Sequence, residues 1–229
     1  MRATLLEIRD LAPEVRHFVF EASEAAELQF KAGQFVSFTE TLGGKKIIRP
    51  YSIASLPAGN RFELCLNRVQ GGIFSPHLFD MKPGDSVEMG QPLGFFVVRN
   101  PHKPAVFVAT GTGIAPFRPM VPDYLRRPEA QDLTLIFGVR YENSIYYRDE
   151  FEALAAKHPN FRFWPTLSRP EPSWTGRHGH VQGHLLEAIG DRRDLDIHIC
   201  GMKAMVDDVR AILKGMGFDR KQIIFEKYD

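Results

Sequence analysis

Up to about Val98 the apolar positions fall into short alternating runs, TLLEIRDL, VRHFVFEA, FVSFTE, KKIIRPYSIA, RFELCLNRV and DSVEMG, set apart by KAGQ, LGG, LPAGN and KPGD. Period-two runs broken by turn residues predict short antiparallel strands in a barrel or sandwich. One helical candidate, GIFSPHLFDM, follows Gly71 and Gly72. After RNPHKP the rhythm changes. Nearly continuous apolar strands, AVFVAT, LTLIFGVR, FRFWPTL, DIHIC and IIFEKY, alternate with the amphipathic candidates YRDEFEALAAKH, VQGHLLEAI and KAMVDDVRAILKGM. That alternation predicts a parallel sheet covered on both faces. The chain therefore divides into a barrel domain, residues 1–99, and an α/β domain, residues 100–229, with no internal repeat.

Composition narrows the possible roles. With 229 residues and 44% hydrophobic content there is material for two cores. Lys plus Arg number 29 against 28 Asp plus Glu, so no global field holds nucleic acid or an anionic membrane. The opening MRATLLEIRDLAPEVR has neither a secretion signal's apolar core nor a bilayer-spanning stretch, and a cytoplasmic location is expected. Cys65 and Cys200 stand far apart in strand-like runs. They frame no disulfide network, and two thiols cannot ligate an iron-sulfur cluster that takes four.

The first α/β strand runs into TGTGIAP, Thr110 to Pro116. Glycines 111 and 113 let the backbone turn tightly and approach a phosphate at the start of the next helix. The usual dinucleotide fingerprint has a third glycine where this chain has Pro116, and a tight turn without a ligand fits the same residues. Pro119 and Pro122 predict that the following helix is short, kinked or broken. Arg140, Ser168 and Arg169 fall at carboxyl ends of strands, the edge where open parallel sheets bind ligands, and guanidinium groups there suit a phosphate such as the 2′-phosphate of NADP. Taken singly, each arginine reads as a surface group paired with an acid such as Glu142 or Glu171; their shared edge is what supports the phosphate reading.

In the barrel half, RPYSIAS sets Arg49, Pro50, Tyr51 and Ser52 in a row. A flavin nucleotide needs a cation for its phosphates, an aromatic face for its ring and hydrogen bonds at the ring edge. Arg49 and Tyr51, two apart, share a strand face, while Ser52 points the other way unless the strand twists or bulges. GGIFS, Gly71 to Ser75, adds glycines and a helix start suited to an anion. Without that second site RPYSIAS would read as an ordinary strand.

Taken together, RPYSIAS, GGIFSPHLFDMKPG, GFFV, ATGTGIAPFR, ICGMKAM and FEKY resemble the ferredoxin-NADP reductase family, in its order and over nearly the whole chain. The resemblance implies a flavin-binding antiparallel Greek-key β-barrel, then an α/β domain with a five-stranded parallel sheet, with FAD at the junction. Position by position, Arg49 resembles the FAD pyrophosphate clamp, Tyr51 the residue stacked on flavin, and Ser52 the hydroxyl near the reactive ring nitrogen. Cys65, Leu66 and Asn67 fall on the flavin-lining strand, Asn67 replacing the lysine of plant-type members. Gly72, Ile73, Phe74 and Ser75 match the loop and helix start that receive the pyrophosphate. Thr110, Gly111, Thr112 and Gly113 match the NAD(P) pyrophosphate loop, in which the family also has proline at 116.

Cys200, Gly201 and Met202 match the cysteine-glycine stretch beside the nicotinamide, although buried cysteines at strand ends are commonly inert. Glu226 and Tyr228 resemble the terminal carboxylate and the tyrosine that covers the flavin until nicotinamide displaces it; Asp229 follows one residue beyond. Arg140, Arg169 and Arg177 resemble the arginines that hold the 2′-phosphate of NADPH, and related NADH-dependent reductases carry arginines there too.

The function these matches imply is FAD-dependent electron transfer between NADPH (or NADH) and a one-electron carrier, ferredoxin or flavodoxin, by a monomer. Lys31, Lys45 and Lys46 in barrel loops suit an acidic carrier or simply a solvated surface. The alternatives are a reductase component serving an oxygenase iron-sulfur partner, a free-flavin reductase, or a flavin-bearing interaction module without turnover. RHGHVQGH also gathers His178, His180 and His184; two alternate residues can share a metal, but the third needs a helix turn to join them, and the stretch reads as a polar loop leading into the VQGHLLEAI helix.

Overall fold

The computed structural model describes residues 1–228; Asp229 lies outside the described residues. The alternating first half forms β1 (Arg2–Ala12), β2 (Val15–Ala22), β3 (Phe35–Leu42), β4 (Lys45–Ser52), β5 (Arg61–Asn67) and β6 (Ser86–Met89). They lie antiparallel in the order β4-β3-β6-β1-β2-β5. β6 returns to sit between β3 and β1, the long-range step of a Greek key. The edges meet where Ile53 bridges to Leu64 and the Ala54 N–H donates to the Glu63 carbonyl at 2.7 Å, which closes the barrel.

Inward positions of these strands carry Phe18, Phe20, Phe38 and Phe62, all fully buried. Phe20 meets Phe38 edge-on at 5.1 Å and stacks on Phe62 at 5.6 Å. Each such ring contributes about 2 kcal/mol through burial alone. Helix α1 (Phe74–Asp80) lays Phe74, Leu78 and Phe79 onto this core.

The second half forms the five expected parallel strands, β7 (Ala105–Thr110), β8 (Leu133–Val139), β9 (Phe161–Leu167), β11 (Asp196–Met202) and β12 (Ile223–Tyr228). A sixth, β10 (Arg177–His178), pairs with β9 at the sheet edge, correcting the expected five; two residues are too few to carry a periodic signal. The order is β10-β9-β8-β7-β11-β12. Val106 and Val108 of β7 pack toward α4 (Val181–Ile189) and α5 (Lys203–Gly215), while Phe107 and Ala109 pack toward α2 (Phe117–Leu125) and α3 (Arg148–Lys157). β7 thus reads as one apolar run because both its faces are covered. As the prolines imply, α2 is short, has Pro122 inside it, and is preceded by a separate 3-10 turn at Gly111–Ile114.

One core cluster crosses between the halves, joining Val15, Ala54 and Cys65 to Phe107, Phe117 and Tyr147. Phe96 reaches Phe117 at 5.5 Å and His198 at 5.6 Å. The expected division at residues 99/100 falls in the segment between β6 and β7. Among the described residues no helix is long and apolar enough to cross a membrane.

Candidate active site

β11 and β12 run side by side, and their register sets Cys200 against Glu226 and Met202 against Tyr228. The barrel supplies Ser52 at the end of β4. In the β3–β4 register Arg49 and Tyr51 stand opposite Phe38 and Val36, whereas Ser52 stands opposite Phe35. Ser52 thus does point the other way, and that face is the one that meets the second domain. The Tyr228 hydroxyl donates to Ser52 Oγ at 2.6 Å, and Ser52 Oγ donates to Glu226 Oε2 at 3.4 Å. Cys200 is fully buried beside Tyr228 and Glu226. All four predicted reaction-centre residues therefore meet, across 176 residues of chain.

Burial pushes the Glu226 carboxyl up to about 7, with the Ser52 hydroxyl opposing part of that rise. The Cys200 thiol is held well above its ordinary range by burial and then by the neighbouring Glu226, so it stays protonated. Burial, reinforced by Cys200, does the same to the Tyr228 phenol. The cluster combines neutral donors with one carboxyl poised to exchange a proton near neutral pH.

The loop after β7 is pressed onto this cluster. A Cβ on Gly113 would stand 2.3 Å from the Cys200 carbonyl oxygen, and one on Gly201 would stand 2.2 Å from Thr110 Oγ1. Only glycine permits that approach at either position. Thr110 Oγ1 itself is buried beneath Gly201 without a hydrogen-bond partner among the described residues. Thr112 Oγ1 donates to Asn67 Oδ1 at 3.4 Å, a link from this loop to the barrel.

Residues 2–98 match the family described as "Oxidoreductase FAD-binding domain", and residues 107–211 match "Oxidoreductase NAD-binding domain". The chain is 42% identical to ferredoxin–NADP reductase B of Sorangium cellulosum, over 99% of this chain and 97% of that protein. It belongs to the ferredoxin–NADP reductase family. Among solved structures, a ferredoxin–NADP⁺ reductase from Neisseria gonorrhoeae with bound FAD and NADP superposes with a TM-score of 0.85 at 25% identity, covering 99% of this chain and 98% of that one. The Amycolatopsis cytochrome P450 reductase GcoB gives 0.88 at 31% identity, over 99% of this chain and 69% of that one. The toluate 1,2-dioxygenase electron transfer component of Pseudomonas putida is 28% identical over 99% of this chain and 67% of that protein. This family member is an oxidoreductase that uses FAD and a nicotinamide dinucleotide.

The flavin side of this oxidoreductase fits an anionic, ring-bearing group. Arg49 is exposed and, among the described residues, donates only to the Ile48 carbonyl at 2.8 Å, so most of its fork is available. The Tyr51 ring lies 6.1 Å from Phe74 at the start of α1, which brings RPYSIAS beside the Gly72–Ser75 segment. Ile73 precedes the helix with 61% of its surface exposed. The Ser75 hydroxyl accepts from the Val69 N–H at 2.9 Å and shapes the turn. On β5 the Leu66 side chain faces the barrel core and Cys65 is buried between the domains beside Tyr147, which leaves Asn67 as the exposed side chain of the three.

At the coenzyme edge the Arg169 N–H donates to the Arg140 carbonyl at 3.0 Å, which sets two exposed arginines together beside Ser168. Arg177 is used differently. Its Nη1 and Nη2 donate to both oxygens of Glu187 at 2.6 and 2.7 Å, and its guanidinium lies 3.8 Å from the Trp164 ring centroid. His184 Nε2 lies 3.0 Å from Thr166 Oγ1 and 3.1 Å from the His178 carbonyl, so its ring serves the protein. Among the described residues no group of three His, Cys, Asp or Glu is placed to hold a metal. Sequence reasoning passed over Arg118, whose partners lie in both domains; its only signal was its place at the end of ATGTGIAPFR.

Proposed function

We propose that this protein passes electrons between NADPH and a one-electron protein carrier, ferredoxin or flavodoxin, working as a monomer in the cytoplasm. The observation that carries this reading is the meeting of Ser52 with Glu226 and Tyr228 across the domain junction, with Cys200 beside them. Bound FAD supplies the chemistry, accepting two electrons from a nicotinamide and releasing them one at a time. Ser52 is the barrel's hydroxyl at the reaction junction, and its bond to Glu226 Oε2 gives that carboxyl a defined orientation. Glu226, near neutrality in its proton affinity, holds or returns a proton there. Cys200 lines the crevice as an uncharged thiol. Tyr228 shuts the crevice through its bond to Ser52 and must release it for a nicotinamide to enter.

Arg49, Pro50 and Tyr51 with Gly72, Ile73, Phe74 and Ser75 are assigned to FAD, and Thr110 to Gly113 with Pro116, Gly201 and Met202 to the coenzyme. The preference for NADPH over NADH rests on the adjoining Arg140 and Arg169; Arg177, engaged by Glu187, contributes less. Exposed Lys45 and Lys46 at the start of β4 suit an acidic carrier. A second reading, the reductase component of an oxygenase system, is favoured by the likeness to the toluate dioxygenase and P450 reductase components.

Anaerobic titration of the purified protein under visible absorption tests the reading. A yellow protein bleached by near-stoichiometric NADPH, and reoxidised by ferredoxin or flavodoxin, is the expected result. Bleaching by NADH alone overturns the coenzyme assignment, reoxidation only by an oxygenase component supports the second reading, and a colourless protein points to free flavin as substrate.

A further inference from the structure

Arg118, in the first turn of α2, uses every edge of its guanidinium. Nε and Nη2 donate to the two carboxylate oxygens of Glu150 at 2.7 and 3.0 Å. Nη1 donates to the Ala54 carbonyl at 2.8 Å and to the Glu63 carboxylate. The cation lies 4.5 Å from the Tyr147 ring centroid, and the side chain is only 18% exposed. Ala54 and Glu63 belong to the barrel; Glu150 and Tyr147 belong to the α/β domain. Tyr147 makes a second crossing, its hydroxyl 2.9 Å from Nδ1 of His17 on β2. It holds a left-handed backbone (φ 58°) that non-glycine residues rarely adopt, as expected of a residue fixed by its surroundings.

The position of this cation along the chain gives it leverage. Ala54 lies two residues beyond Ser52, and Arg118 lies five beyond Gly113, the glycine that rests on the Cys200 carbonyl. One guanidinium therefore ties the strand end that carries Ser52 to the loop seated on the reaction cluster. We propose that Arg118 is a positioning residue: by bonding Ala54, Glu63 and Glu150 together it sets the register of the two domains and holds Ser52 against Glu226 and Tyr228. An ammonium has no fork and cannot satisfy the three acceptors in this geometry. The kinetic part of this inference rests on the reading in the preceding section, because misplacing reacting groups by about 1 Å costs up to about a hundredfold in rate.

The test compares flavin-loaded full-length protein with Arg118→Lys, with the milder Glu150→Gln in case the first folds poorly, and with Arg148→Lys as a control. Arg148 bonds Glu142 and Glu152 within one domain and crosses nothing. In Arg118→Lys, amide exchange at residues 53–55 and 146–151 rises about tenfold or more, while the interiors of β2 and β8 keep their protection. The reduction rate at saturating NADPH falls about tenfold to a hundredfold, with the half-saturating concentration changed by less than about threefold. Glu150→Gln shifts both in the same direction by less, and Arg148→Lys leaves the exchange at residues 53–55 and the saturating rate unchanged.

Unchanged exchange at the junction overturns the proposal, and so does faster exchange with an unchanged saturating rate. Should the unsubstituted protein fail to be bleached by either coenzyme, the functional reading falls. The exchange result then decides alone whether Arg118 sets the domain register.

Discussion

Two of the bonded clusters at the junction between barrel and sheet, around Ser52 and around Arg118, are built in opposite ways. Around Ser52 the contacts are hydroxyls, a thiol and one carboxyl, with the Ser52–Glu226 contact stretched to 3.4 Å. Around Arg118 a full guanidinium faces two carboxylates, a carbonyl and a ring, with bonds to Glu150 of 2.7 and 3.0 Å. The difference teaches a division of labour. On the proposed reading, the site that admits a nicotinamide is closed with bonds that open cheaply, and the rigidity it gives up is supplied a few residues away by charge-assisted bonds.

Breaking the charged side gives the largest effect. Arg118→Met leaves Glu63 and Glu150, 29% and 44% exposed, facing each other without their cation, and the chain loses about 3 kcal/mol in urea unfolding. His17 sharpens the same side through pH. Burial first, then Arg118 and Arg9, lowers its pKa from 6.5 to about 4, with Glu150 opposing. As pH falls, the unfolded chain takes up this proton before the native one does. The associated stability is present above pH 6.5 and is lost between 6.5 and 4, to the extent of at most about 3 kcal/mol. His198, lowered by burial to about 4 as well, adds a loss of the same sign. His17→Gln is expected to reduce the acid slope by roughly half, measured as unfolding free energy against pH.

On the reaction side the sign reverses. Glu226 is raised to about 7, so the native chain keeps that proton longer than the unfolded one, and its contribution is full below pH 4.5 and lost as pH rises through 7. Glu226→Gln therefore gains about 2 kcal/mol over the parent at pH 8 and nothing at pH 4, read in the same unfolding series. The smallest change comes from Ser52→Ala. It slows reduction by NADPH about tenfold, equivalent to about 1.4 kcal/mol, and leaves unfolding within about 1 kcal/mol of the parent. Stopped-flow bleaching and a urea titration on one preparation separate those two numbers.

How much of this was legible in the sequence follows from distance along the chain. Helices α4 and α5 bury Val181, Leu185, Ala188 and Ile189, and Met205, Val206, Val209 and Leu213, at helical spacing, so a local pattern was enough to find them. β10 has two residues and no period. RPYSIAS and TGTGIAP were consistent with a flavin strand and a phosphate loop but equally with an ordinary strand and a tight turn, and the roles of Cys200, Glu226 and Tyr228 came only from the joint resemblance, since nothing local says that Tyr228 will reach Ser52. Arg118 was invisible for the same reason: its partners lie 32, 55 and 64 residues away, in two different domains. Arg177 was matched to a phosphate ligand through the resemblance alone, and its pairing with Glu187 in the next helix left no mark in the sequence spacing.

The 176 residues between Ser52 and Tyr228 also order events during synthesis. Every strand of the barrel precedes β7 in the chain, so the barrel half emerges before the second domain is complete. The crevice that admits a reductant cannot form until β12 pairs with β11. A chain still short of β12 therefore carries Ser52 and Cys200 without the carboxyl and the phenol that complete their cluster.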